Sequence, residues 1–148
     1  MTRDQVDSKE PIPGVLKTLQ ERGIPHRLIL PGTDEDRELT DWMNSNLGFA
    51  GSQIQWSSAS HFECEEWSDE SSDALEAFRR AASSIVVESL VKVTWSDGAC
   101  PTVEMRLKDA VSIGGELFEA SFDTYVIRES ERWILELHHE GTICWGFV

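Results

Sequence analysis

From Val87 to the end of the chain the apolar side chains recur at every second position, and that period dictates most of what the chain can fold into. Val87, Ser89, Val91, Val93 and Trp95 alternate with Glu88, Lys92 and Thr94, and Val103, Met105 and Leu107 alternate with Glu104, Arg106 and Lys108. Successive side chains of a strand leave opposite faces of a sheet, so this spacing predicts strands with one apolar face. Ser96-Asp-Gly98 supplies the turn between the first two strands. After a break at Gly114-Gly115, read as a turn, Phe118, Ala120, Phe122 and Val126 alternate with Glu119, Ser121 and Asp123. The chain turns again around Arg128–Arg132, and Trp133, Leu135 and Leu137 then alternate with Glu136 and His138. Ile143, Trp145 and Phe147 close the series as a last strand, whose edge offers a second copy a place to pair.

Before residue 85 the spacing is mostly helical. Val15, Leu16 and Leu19 form a stripe on a short helix that ends near Gly23, and His26–Pro31 reads as a brief strand. Thr33 is a good N-cap, followed by Asp34, Glu35 and Asp36 in the first turn and by Leu39, Trp42, Met43 and Leu47 at helical spacing. Ile54 and Trp56 alternate like a strand, and His61–Trp67 reads as another. Asp73–Ala82 is a third helix, with Leu75, Phe78 and Ala82 on one face and acids before bases, as the helix dipole favours. The expected fold is α+β, with N-terminal helices packed on a curved antiparallel sheet of four to six strands. At 148 residues the chain has the size of one domain, 1–148, with residues 1–12 as a flexible lead.

The net charge is −14, from 27 Asp and Glu against 13 Lys and Arg. Phosphate backbones and anionic membranes are repelled by such a surface, which argues against direct nucleic-acid or membrane partners. The charge is also unevenly placed. Glu38, Asp41, Glu63, Glu65, Glu66, Asp69, Glu70, Asp73 and Glu76 occupy a stretch from Glu38 to Phe78 that holds no Lys or Arg. Cys64, Cys100 and Cys144 are an odd, widely spaced set, expected as reduced core thiols. MTRDQVDSKEPIPG has neither a basic start nor an apolar run, so a cytoplasmic location is expected.

No catalytic signature stands out. The chain has no Gly-x-Ser-x-Gly, no phosphate-cradling Gly-x-x-x-x-Gly-Lys, no His-Glu-x-x-His and no Gly-x-Gly-x-x-Gly. His61-x-x-Cys64 lacks a second pair at zinc-like spacing, and its thiol lies among carboxylates that disfavour thiolate. His138 and His139, as strand neighbours, point to opposite faces and do not readily share an ion. Neither a metal nor any other cofactor is expected.

The stretch from Ile85 to Gly141, ending in Glu131-Arg-Trp-Ile-Leu-Glu-Leu-His-His139, resembles the C-terminal half of the nuclear transport factor 2-like (SnoaL-like) superfamily. There a meander ends in a strand of the form Gly-x-Trp-x-Ile, often with a His several residues later. Trp133 and His138 or His139 fit that pattern, whereas Glu131 stands where the family has Gly. The resemblance implies a cone-shaped cavity closed by helices, in a superfamily that holds dehydratases, isomerases, hydrolases and non-catalytic proteins alike. On that plan an Asp or His points into the cone. His139 is in phase with Trp133, Leu135 and Leu137, and Asp123 is out of phase with Phe118, Phe122 and Val126.

The leading expectation is therefore a non-enzymatic acidic binding protein of a bacterial cytoplasm. An immunity protein or inhibitor that covers the cationic site of a basic nuclease toxin is its most economical form, with carboxylates standing where phosphates would lie. Its binding residues would be Glu63, Glu65, Glu66, Asp69, Glu70 and Asp73, with Trp56 and Trp67 as aromatic anchors. A nucleic-acid mimic that blocks a DNA-binding protein shares these electrostatics. The alternative is a small-molecule-binding or lyase/isomerase-type enzyme with His139 as acid or base.

Overall fold

A computed structural model describes residues 12–50, 53–67, 71–121 and 123–148. Residues 1–11 of the expected lead lie outside that set, but Ile12 is 1% exposed and belongs to the core. Pro13 opens α1 (Pro13–Glu21), where the missing N–H would have no helical partner in any case, and Val15 and Leu19 face inward. A three-residue strand, β1 (Arg27–Ile29), leads to α2 (Asp34–Asn46), whose cap Thr33 accepts the Asp36 N–H as the spacing predicts. Arg27 donates to both carboxylate oxygens of Glu35 at 2.6 Å and to Glu104 at 3.0 Å, tying β1 to α2.

The small hairpin β2 (Phe49–Ala50) and β3 (Gln53–Ile54) is followed by a 3-10 turn at Trp56–Ser58. Then come β4 (His61–Glu66) and α3 (Ser71–Ala82). The C-terminal part runs β5 (Leu90–Trp95), β6 (Thr102–Arg106), α4 (Leu107–Ser112), α5 (Gly114–Phe118), β7 (Thr124–Arg128), β8 (Trp133–His138) and β9 (Thr142–Phe147).

Seven strands form an open antiparallel sheet in the order β1-β6-β5-β7-β8-β9-β4. The fold is α+β, with a sheet wider than expected because the two N-terminal strands join opposite edges: β1 pairs with β6 and β4 pairs with β9. The expected edge at Ile143–Phe147 is thus interior, and the free edge beside it is β4. Central strands are buried on both faces. All six residues of β8 are buried, with Trp133 and Leu135 in the core under α1, α3, α4 and α5 and Ile134 in a second core with Leu39, Leu47, Ile54 and Trp56.

Residues 107–118 depart from the strand reading. Leu107, Ala110, Ile113 and Leu117 are all 0% exposed and recur at helical spacing, a period that overrides the shorter alternation through Phe118. Phe122 lies outside the described residues. Gly114 is a contact rather than a turn: a Cβ there would lie 2.8 Å from Leu75 Cδ2 and 3.2 Å from Phe78 Cδ2, so its absence lets α5 close on α3. The sheet face that the resemblance makes a cavity wall is filled by Phe78, Ile113 and Leu117, each 0% exposed. Strand β5 begins at Leu90, leaving Val87 exposed.

The cysteine expectation is corrected as well. Cys64 and Cys144 are directly opposed on β4 and β9 and form a disulfide, which leaves Cys100 as a buried free thiol. Eighty residues separate the pair in sequence, and only the strand register brings them together. No helix among the described residues is long and apolar enough to cross a membrane.

Candidate functional site

Two places gather polar side chains that the cores do not consume. The first is the rim formed by β4 and α3. In an antiparallel pair, alternate residues exchange backbone hydrogen bonds with the partner and the others turn theirs outward. The Trp67 N–H bonds the Gly141 carbonyl, in phase with Glu63 and Glu65, so Phe62, Cys64 and Glu66 present their N–H and C=O groups to the free edge.

Side chains divide the other way. Glu65 lies on the α3 side and takes both arms of Arg80, Nε at 3.1 Å and a terminal nitrogen. Arg79 and Arg80 also reach Glu76, at 3.6 and 3.8 Å. Glu65, Glu66, Asp73, Glu76 and Arg80 line an open concavity of about 450 Å³. Glu63 and Glu66 are exposed. The rim is therefore a carboxylate array softened at one point by arginines.

Both expected aromatic anchors hydrogen-bond within the fold. Trp56 is 5% exposed and donates its indole N–H to Glu136 at 2.8 Å, and half-buried Trp67 donates to the Thr142 carbonyl at 3.2 Å. Asp69 and Glu70 lie outside the described residues. The aromatic side chain on the rim is Phe62, 44% exposed, its ring centroid 6.0 Å from that of Trp56. Sequence reasoning missed Phe62 because it did not place β4 at an edge, where one face stays open.

The second place is the corner where β7 begins and β8 ends. Thr124 is paired with Leu137, so Asp123 and His138 lie one step beyond the same ladder. The Asp123 carbonyl accepts the Ser96 N–H at 3.1 Å. Its carboxylate Oδ1 accepts the His139 N–H at 2.9 Å and stands 2.8 Å from His139 Nδ1. The strand stops at His138, and in the turn beyond it the His139 ring folds over the His138 ring at a centroid distance of 4.5 Å. Alternation no longer applies there, and the two sequence neighbours meet instead of pointing to opposite faces. His139 lies at the protein surface with its side chain 42% exposed, and Asp123 holds its pKa above the usual imidazole value through the hydrogen bond.

A third polar group lies inside the second core. Glu136 is 1% exposed and accepts both the Trp56 indole N–H and the Ile54 N–H, at 2.8 and 2.9 Å. Burial pushes its pKa up to about 7 against the pull of those two bonds. It anchors the segment after the small hairpin to the sheet. No protein-family model matches the chain, and no curated protein matches it in sequence.

Proposed function

We propose that this chain is a non-enzymatic binding protein whose acidic rim docks on a basic protein surface, as an immunity protein or inhibitor does when it covers the cationic site of a nuclease toxin. One observation carries the reading: the edge strand β4 and the neighbouring α3 gather Glu65, Glu66, Asp73 and Glu76 around one open concavity, and the exposed Glu63 and Phe62 lie on the same strand. Carboxylates on an accessible rim steer a cationic partner, and an exposed phenyl ring gives it apolar area to bury. Among the described residues no strand pairs with the outer side of β4, so the backbone groups of Phe62, Cys64 and Glu66 offer a strand of the partner further hydrogen bonds. In this reading the chain works in the cytoplasm, beside the target that the toxin would attack.

The test is co-expression with a panel of basic nuclease toxin domains in a bacterial host. Rescue from at least one is expected, lost in the Glu63→Lys/Glu66→Lys variant with an unchanged circular dichroism spectrum. Rescue from none, or rescue that survives the charge reversal, contradicts the reading.

The enzymatic alternative draws on the Asp123–His139 pair, since a carboxylate behind an imidazole is the arrangement a general base uses. In that reading the substrate would be met at the corner where His139 is exposed.

A further inference from the structure

The geometry points to a binding site for a divalent transition-metal ion of the Zn²⁺ type, formed by Asp123, His138 and His139 and separate from the acidic rim. One donor atom from each side chain falls within a group whose members all lie within 4.8 Å of one another. Ligand atoms around a tetrahedral ion with bonds of about 2.0–2.1 Å stand roughly 3.3 Å apart, so the three residues need to move little to share one. The closest pair, His139 Nδ1 and Asp123 Oδ1, is at 2.8 Å.

The site is held before any ion arrives. Asp123 is fixed by the Ser96 N–H on its carbonyl and by the His139 N–H on its carboxylate. His138 is the last residue of β8, its side chain 3% exposed, with Nδ1 accepting the Glu140 N–H at 3.3 Å. The Asp123 carboxylate is 4% exposed and His139 is 42% exposed, so two ligands come from the interior and the third closes the site from the solvent side. Electrostatics favour a cation, since the Asp123 carboxylate stands 2.8 Å from His139 Nδ1 and the Glu140 carboxylate lies 3.9 Å from His138 Nδ1. Two imidazoles with one carboxylate suit Zn²⁺, Co²⁺ or Ni²⁺ rather than the all-oxygen preference of Mg²⁺ or Ca²⁺. Three protein ligands leave a fourth position for water, as in exchangeable rather than purely structural sites.

The probe is the metal alone. Purified full-length chain, freed of metal with a chelator, is titrated calorimetrically with Zn²⁺ in the presence of excess Mg²⁺, with Co²⁺ absorption as an optical readout. One Zn²⁺ per chain is expected, and His139→Ala should weaken binding by at least about tenfold. That side chain is largely outside the core, so the variant should keep its circular dichroism spectrum. Asp123→Asn should weaken binding to a similar degree. Failure to take up Zn²⁺ saturably, displacement by Mg²⁺, or unchanged affinity in both variants would overturn the site. Loss of toxin rescue has no bearing on this result, because the rim variants leave all three ligands intact.

Discussion

Glu136 shows what a single residue costs and controls here. In the unfolded chain its carboxyl titrates near 4.5, whereas burial in the folded protein moves it to about 7. Between those values the native state keeps a proton that the unfolded state has released, so unfolding free energy falls as pH rises through that window. At 1.36 kcal/mol per unit the total is on the order of 3 kcal/mol. Urea denaturation from pH 5 to 8 should show this decline in the wild type and a flatter profile in Glu136→Gln, which cannot titrate; equal slopes in both would contradict the assignment. The sequence showed Glu136 only as the polar member of an alternating strand. Its burial follows from Ile127 and Ile134, which make the second face of the sheet apolar and call for a second cover. His139 was hidden for the opposite reason. Counting by twos from Trp133 places it on the inner face, but β8 ends one residue earlier, and a turn obeys no period.

At the scale of elements, β4 is held by its ladder to β9 and by the Cys64–Cys144 disulfide, and its register leaves no slack. Gly146 sits opposite Phe62, where a Cβ would come within 2.1 Å of the His61 carbonyl oxygen and 2.7 Å of Phe62 Cα. Those are backbone atoms and cannot swing aside. Gly146→Ala should therefore push β4 away from β9 and cost about 1–3 kcal/mol or more, measured by urea denaturation; a change within about 0.5 kcal/mol, ordinary for a surface position, would contradict the register. The helices α1, α2 and α3 and the strands β5, β6, β8 and β9 were legible because each carries an unbroken period and, for α2, a capping threonine. The helices α4 and α5 were not. Phe118 and Ala120 keep the every-second-residue spacing that β7 carries at Val126, and only the buried Leu107, Ala110, Ile113 and Leu117 reveal the longer period. The disulfide could not be read from spacing, because its partners meet only through a strand pairing between the two halves of the chain.

For the whole molecule, part of the net charge of −14 gathers along one edge of the sheet. Among the described residues the seven-stranded sheet ends in two edge strands, β1 and β4. One, β1, is fastened to α2 through Arg27, whereas β4 carries Glu63, Glu65 and Glu66 beside α3. The acidic stretch was visible in the sequence, but its conversion into a rim was not, since that depends on β4 lying outermost. Nor was it visible that Arg79 and Arg80, just beyond the base-free stretch, fold back to neutralise Glu65 and Glu76. In the proposed function, the rim that remains acts on a basic partner through long-range attraction, which screens with salt over a Debye length of about 10 Å at 0.1 M. The most direct test is the association rate of this chain with a toxin domain that it neutralises, measured by stopped flow across ionic strength. The rate should fall at least about tenfold between low and high salt, and the Glu63→Lys/Glu66→Lys variant should lose both the fast rate and its salt dependence. A rate that is flat in salt and unchanged by the charge reversal would contradict the acidic rim as the binding surface.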